Sequence, residues 1–180
     1  MTTLNTSASP TAVPPQIARY VNGPLSEDRQ FDFLIGDWNV KATKFNPGGA
    51  ALAHYEALWS ARSLNEGRMI VDDFKALAPD GRPISSFVTL RTYCVEMRRW
   101  EMVGLTAMQS AGRMEWHGVW VDGEMRIDAV GLDPSGCEVR TRIRFSDISA
   151  ERFIWASESS VSGGPWQKTA SLVATRSEGR

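Results

Sequence analysis

From Phe31 onward the chain is cut into short pieces by residues that accept positive φ or pre-set a turn: Asn46-Pro47-Gly48-Gly49, Asn65-Glu66-Gly67, Pro79-Asp80-Gly81, Asp122-Gly123, Asp133-Pro134-Ser135-Gly136 and Ser162-Gly163-Gly164-Pro165. The runs between them are rich in Val, Ile, Thr, Trp and Tyr, which suit a pleated, half-buried surface. Trp38, Val40 and Ala42 alternate with Asn39, Lys41 and Thr43, and Val139, Thr141, Ile143 and Phe145 alternate with Arg140, Arg142 and Arg144. Phe153 and Trp155 alternate in the same way with Arg152 and Ile154. Such spacing gives each strand one buried and one solvated face. The expectation is an all-β, antiparallel barrel of roughly eight to ten strands, wide enough to hold one small ligand.

One domain follows from the length of 180 residues, since splitting it would leave two marginal cores. With 42% hydrophobic and 23% charged residues the chain is an ordinary globular sequence. Residues 1–24 are rich in Thr, Ser, Ala and Pro and are expected to form a flexible arm, with the barrel domain over 25–180. Within the arm, Ile17, Tyr20 and Val21 recur at helical spacing, so a helical turn over Pro15 to Val21 is expected to plug one end of the barrel.

The net charge of −1 offers no long-range attraction to phosphate backbones or anionic lipid, so neither nucleic acid nor a membrane is an expected partner. No apolar run approaches the ~20 residues needed to span a bilayer as a helix. Met1 to Pro15 lacks a basic start followed by an apolar stretch, so the cytoplasm is the expected compartment. Cys94 and Cys137 lie in strand-like runs without the close pairing of a zinc or redox motif and are expected to be reduced. Glycine-rich phosphate loops, nucleophile elbows and clustered Cys/His sets are missing, so neither a cofactor nor a metal is indicated.

The opening Phe31-Asp32-Phe33-Leu34-Ile35-Gly36-Asp37-Trp38 enters the first strand with a Gly-x-Trp step. This resembles the start of calycin-type barrels, a group that includes lipocalins, fatty-acid-binding proteins and nitrobindin-like proteins. More closely, it is similar to a family of small bacterial calycin-like (lipocalin-like) proteins that open on nearly this phrase. Thr89-Leu90-Arg91-Thr92-Tyr93 followed by Trp100 resembles that family's middle hairpin, and Arg142 to Ile148 its next-to-last hairpin. Gly163-Gly164-Pro165-Trp166 and the strand to Arg176 resemble its ending. The resemblance implies a calycin-like barrel over about residues 31–176. It implies no activity, because such barrels host carriers, haem proteins and enzymes. The run Ala42-Thr43-Lys44 departs from the family's pattern, where a bulkier polar or basic residue stands near Ala42, and this would alter the pocket.

Trp38 is expected to close the barrel floor, with its indole N–H on a backbone or loop acceptor and Gly36 allowing the tight entry into the strand. The two histidines are the natural acid/base or metal-binding groups. His54 shares a strand face with Leu52, Glu56 and Leu58, and His117 shares one with Glu115, Val119 and Val121. If those faces point inward, each imidazole has a carboxylate two residues away to orient it; if outward, each is a surface pair. Arg91 with Tyr93 and Glu56 would supply an anion anchor and a weak acid inside an apolar barrel, or Arg91 would merely brace the wall. Trp100, Trp116 and Trp120 fall in consecutive strands and would form an aromatic wall, unless they only fill the core. The Arg140, Arg142, Arg144 row reads as a solvated outer face, and Asp72-Asp73 builds no shared site because neighbours on a strand face opposite ways.

Two functions fit these residues. The first is a barrel that binds a small hydrophobic or aromatic molecule, as a monomer or a homodimer. The second is a cofactor-independent lyase, isomerase or cyclase on an aromatic or polyketide-like substrate, with His54 or His117 as base and Arg91 or Tyr93 steadying negative charge. Haem binding, as in nitrobindin-like barrels, would need an inward histidine.

Overall fold

The computed structural model describes residues 13–14, 17, 20–107 and 113–178. Ten strands are present among them: β1 (Gly36–Phe45), β2 (Ala51–Leu64), β3 (Met69–Leu77), β4 (Pro83–Cys94), β5 (Arg99–Thr106), β6 (Arg113–Val121), β7 (Glu124–Leu132), β8 (Glu138–Ser146), β9 (Arg152–Val161) and β10 (Gln167–Arg176). Each pairs antiparallel with its neighbours in sequence, and β1 pairs with β10 to close the barrel. Closure leaves no unpaired edge.

Local chemistry explains the turns. In the β1–β2 turn the Asn46 side chain accepts from the backbone N–H of Gly48 and of Ala50, both at 3.0 Å. Between β6 and β7, Asp122 and Gly123 have φ of 53° and 80°, the left-handed pair that a two-residue hairpin needs. Between β4 and β5 the turn Val95 to Arg98 contains no glycine or proline, and Arg98 itself adopts φ 50°.

The two ends of the barrel differ. One is stoppered by two short 3-10 turns, Glu27–Arg29 and Asp32–Leu34, whose intervening and terminal residues enter the core. Phe31 and Leu34 are fully buried there with Trp38, Trp100, Phe145 and Phe153. Phe31 meets Trp100 edge-on at 4.8 Å, and Trp38 meets Phe153 at 4.8 Å. Burial of each such side chain stabilises the fold by about 1.5–3 kcal/mol. Both buried indoles are satisfied: Trp38 Nε1 donates to the Leu34 carbonyl at 2.8 Å, and Trp100 Nε1 to the Gln30 side-chain oxygen at 3.0 Å. Gly36, at φ 124°, lies where a side chain would collide with the Arg176 guanidinium, which covers Trp38 at 4.1 Å. The plug is therefore residues 27–34.

This corrects the expectation that Pro15 to Val21 fills the barrel end. Ile17, Tyr20 and Val21 are helical, but all are exposed, and Tyr20 lies outside against the Arg68 guanidinium, 4.2 Å from its ring centre. Pro15, Gln16, Ala18 and Arg19 of that segment, like residues 1–12, are outside the described residues.

Cys94 and Cys137 are both free. They stand at opposite ends of the barrel, at the finish of β4 and just ahead of β8. No helix among the described residues is long and apolar enough to cross a membrane.

Candidate functional site

Away from the plug, toward the turns that join β1 to β2 and β9 to β10, the barrel is hollow. A cavity of about 290 Å³ is lined by the rings of Tyr55, Trp59, Phe74, Phe87, Trp116 and Trp155, with aliphatic side chains between them. Its shape comes from register. Gly104 on β5 faces inward opposite Thr89, and a Cβ there would drive into the rings of Phe87 and Trp116. The missing side chain lets those two rings meet edge-on at 5.7 Å against the wall.

Polar groups enter this cavity at two depths. Deep inside, Arg91 and Asp72 form a buried ion pair, 5% and 2% exposed. Asp72 comes from β3 and Arg91 from β4; Asp72 is paired with Thr89 and Arg91 with Ile70, so the two charged side chains are diagonal neighbours on the inner face. Arg91 Nη1 donates to one Asp72 oxygen, and Trp59 Nε1 donates to the other at 2.8 Å. The guanidinium also lies over the Phe31 ring at 5.0 Å, which ties the pair to the plug below it. Arg91 Nε is buried with no partner among the described residues. Burial lowers the Arg91 pKa to about 9, while the adjacent carboxylate acts the opposite way, so the guanidinium is charged at neutral pH. Nearer the opening, Lys44 and Tyr55 complete the lining. Tyr55's phenol is pushed up from its ordinary pKa by burial and stays protonated.

Of the residues singled out from the sequence, Arg91 and Trp116 line this cavity. Trp38 and Trp100 are in the plugged end, as is Tyr93, whose ring meets Trp100 at 6.0 Å. Trp120 contacts Phe33 of the plug at 6.2 Å. The three tryptophans expected to form one wall are thus divided between floor and cavity. Ala42 is buried on the inner face without lining the cavity, whereas Lys44, two residues on, does line it.

Both histidines face outward, as does Glu56, which is exposed. His54 Nδ1 is 3.0 Å from Thr43 Oγ1, and His117 Nδ1 is 2.9 Å from Glu101 Oε2. Their partners are the residues directly opposite on the next strand, not Glu56 or Glu115 two places along the same one. A cross-strand neighbour is ~5 Å away, whereas i and i+2 are separated by nearly two residue rises, or about 6.7 Å. With no imidazole in the interior, an internal histidine base and a histidine ligand for haem both lose their residue. The arginine row also faces out: Arg140 pairs with Glu138 at 2.8 Å, Arg144 with Glu124 at 3.8 Å, and Arg142 stacks on Trp166 at 3.8 Å. Among the described residues, no group of three or more His, Cys, Asp or Glu side chains is arranged to hold a metal ion.

Asp72 is the residue that sequence reasoning missed. Treating Asp72-Asp73 as a pair was enough to see that they diverge; Asp73 indeed faces out to Lys75 at 2.6 Å. The available signal was Asp72's own parity, in step with Ile70, Phe74 and Ala76 on the apolar face of β3. Gly104 and the cavity tryptophans Trp59 and Trp155 were equally unassigned.

No protein-family model matches the sequence, and no curated protein matches it. Solved structures do resemble the fold. Rv2717c from M. tuberculosis superposes with a TM-score of 0.61 at 16% identity, covering 86% of this chain and 100% of its own. The S-type phycobiliprotein lyase CPES from Guillardia theta superposes with a TM-score of 0.57 at 13% identity, covering 89% of this chain and 97% of its own. At these identities the likeness concerns architecture, and together with the ten-strand closed meander it gives the protein a calycin-like fold.

Proposed function

We propose that the protein binds a small, flat, largely apolar molecule inside its barrel. The observation that carries this reading is the aromatic-walled cavity of about 290 Å³ that ends on a buried Arg91–Asp72–Trp59 cluster. Ligand sites are typically concave and apolar with a few placed polar groups, and this volume is near the lower end of their usual ~300–1,000 Å³. A cavity of roughly 150 Å³ accommodates benzene, so the space here suits about two fused rings. Stacking and apolar burial would supply most of the affinity. One fold neighbour is named a phycobiliprotein lyase. A barrel of this shape is thus compatible with binding or with catalysis, but the histidine-based version of catalysis has no internal base.

Titration with naphthalene tests the reading, followed through the fluorescence of Trp59, Trp116 and Trp155, which line the cavity. Saturable one-site quenching is expected, and Ala170→Phe, which fills the cavity from β10, should abolish it. Quenching that does not saturate, or that survives the filled cavity unchanged, would rule out an internal site.

A further inference from the structure

The buried ion pair bears on the polar chemistry of the ligand. Resting on the binding reading above, we infer that the deep end of the cavity recognises a neutral acceptor oxygen, such as that of an aryl ketone or quinone, and discriminates against a carboxylate.

Two observations lead there. Arg91 lines the cavity and has donor capacity left over: of its guanidinium nitrogens only Nη1, taken by Asp72, has a hydrogen bond among the described residues. A buried donor left unmatched is costly, so a ligand oxygen that accepts from this guanidinium gains more than it would from a solvated one. The charge, however, is already spent. Asp72 is as deeply buried as Arg91, is ion-paired with it and also accepts from the Trp59 indole N–H, so the pair sums to zero. Phe31 from the plug lies against the guanidinium, Met102 stands opposite Arg91 on β5, and Thr89 lines the cavity from the same strand; all three are uncharged. Among the described residues, Lys44 is the only other charged one lining the cavity, and it is exposed near the opening, where water screens it.

An incoming carboxylate would therefore shed its hydration, meet Asp72 as well as Arg91, and leave a net negative charge in an apolar enclosure. Coulombic attraction does not repay that cost without an unneutralised cation. A ketone oxygen loses little hydration and adds no charge. A lone inward arginine would favour acids; the aspartate beside it reverses the preference.

The test compares three ligands on one skeleton with the full-length protein at pH 7: naphthalene, 2-acetylnaphthalene and 2-naphthoate, by tryptophan quenching and calorimetry. The ketone is expected to bind most tightly, and the carboxylate about tenfold or more weaker than the ketone. Asp72→Asn removes the negative charge and retains an oxygen for Trp59, so it should invert the order of ketone and carboxylate. In the Arg91→Met/Asp72→Leu double variant the ketone should lose its advantage over naphthalene. If wild-type protein binds naphthoate as tightly as the ketone, the inference fails while cavity binding stands, whether or not the Asp72 variant folds. If naphthalene and both derivatives fail to bind, the binding reading falls and takes the inference with it.

Discussion

The plugged end and the hollow end of this barrel are built from the same kind of residue, and they differ in what stands behind it. At the plug, Trp38 and Trp100 donate to Leu34 and Gln30, and Phe31, Phe145 and Phe153 fill the gaps between them. At the hollow end, Trp116 and Phe87 meet edge-on over Gly104, which has no side chain to part them, and nothing from residues 27–34 lines the cavity they border. Aromatic side chains thus make floor at one end and binding surface at the other. What separates the two roles is whether a second layer of chain arrives to pack on the ring.

That contrast can be broken by substitution. The largest expected effect is at the plug: Trp38→Ala should cost about 3–5 kcal/mol in urea unfolding, because it opens a cavity in a packed region and orphans the Leu34 carbonyl. Trp116→Ala should cost far less, since its ring already borders empty space, and should instead weaken naphthalene binding. Equal destabilisation by the two would mean that the hollow end is packed in solution. Next comes the pair that divides the two halves. Asp72→Ala leaves Arg91 buried and unpaired and is expected to cost about 3 kcal/mol, whereas Arg91→Met/Asp72→Leu should restore most of that stability.

The same double variant sharpens the comparison through pH. Burial lowers the pKa of Arg91 to about 9 in the folded protein, well below that of the ordinary side chain. Below 9 it is charged in both folded and unfolded chains and contributes no slope. Above 9 the unfolded chain holds a proton that the folded one has released, so Arg91's contribution to stability rises with pH. The stability of wild type relative to the double variant should accordingly increase between pH 8 and 10, measured as the difference in urea unfolding free energies. A difference that falls over this range would show that Asp72, not burial, governs the guanidinium.

A smaller effect is expected from Gly104→Ala. Its methyl group would press on Phe87 and Trp116, costing about 1–2 kcal/mol and narrowing the cavity, with calorimetry reading the lost affinity for naphthalene. The smallest belongs to the outer face: His54→Ala and His117→Ala should each leave stability within about 0.5 kcal/mol and ligand affinity unchanged. Any loss of binding there would place the ligand outside the barrel.

Much of the fold was legible. The Asn46–Gly49, Asp122-Gly123 and Ser162–Pro165 turns fall where the sequence puts them, and the alternation of Trp38, Val40 and Ala42 or of Ile143 and Phe145 matches the inner face. The β4–β5 turn was not marked, because Val95 to Arg98 reaches its left-handed residue without glycine or asparagine. Of the site, Arg91 was identified and Asp72 was not. The two histidines stood out by chemical type, but period-two alternation says only which residues share a face.

The amino-acid sequence by itself determined the strands, most of their turns and the partition of each strand into two faces, since φ preferences and period-two alternation are local properties. The handedness of that partition, which face is inside, is a collective outcome of closing β1 on β10, and so is the meeting of residues distant along the chain. Tertiary structure alone put Phe31 beneath Arg91, set Asp72 and Trp59 against that guanidinium, and turned both histidines to solvent. Cross-strand register brings these groups together, and register depends on every hairpin around the barrel at once.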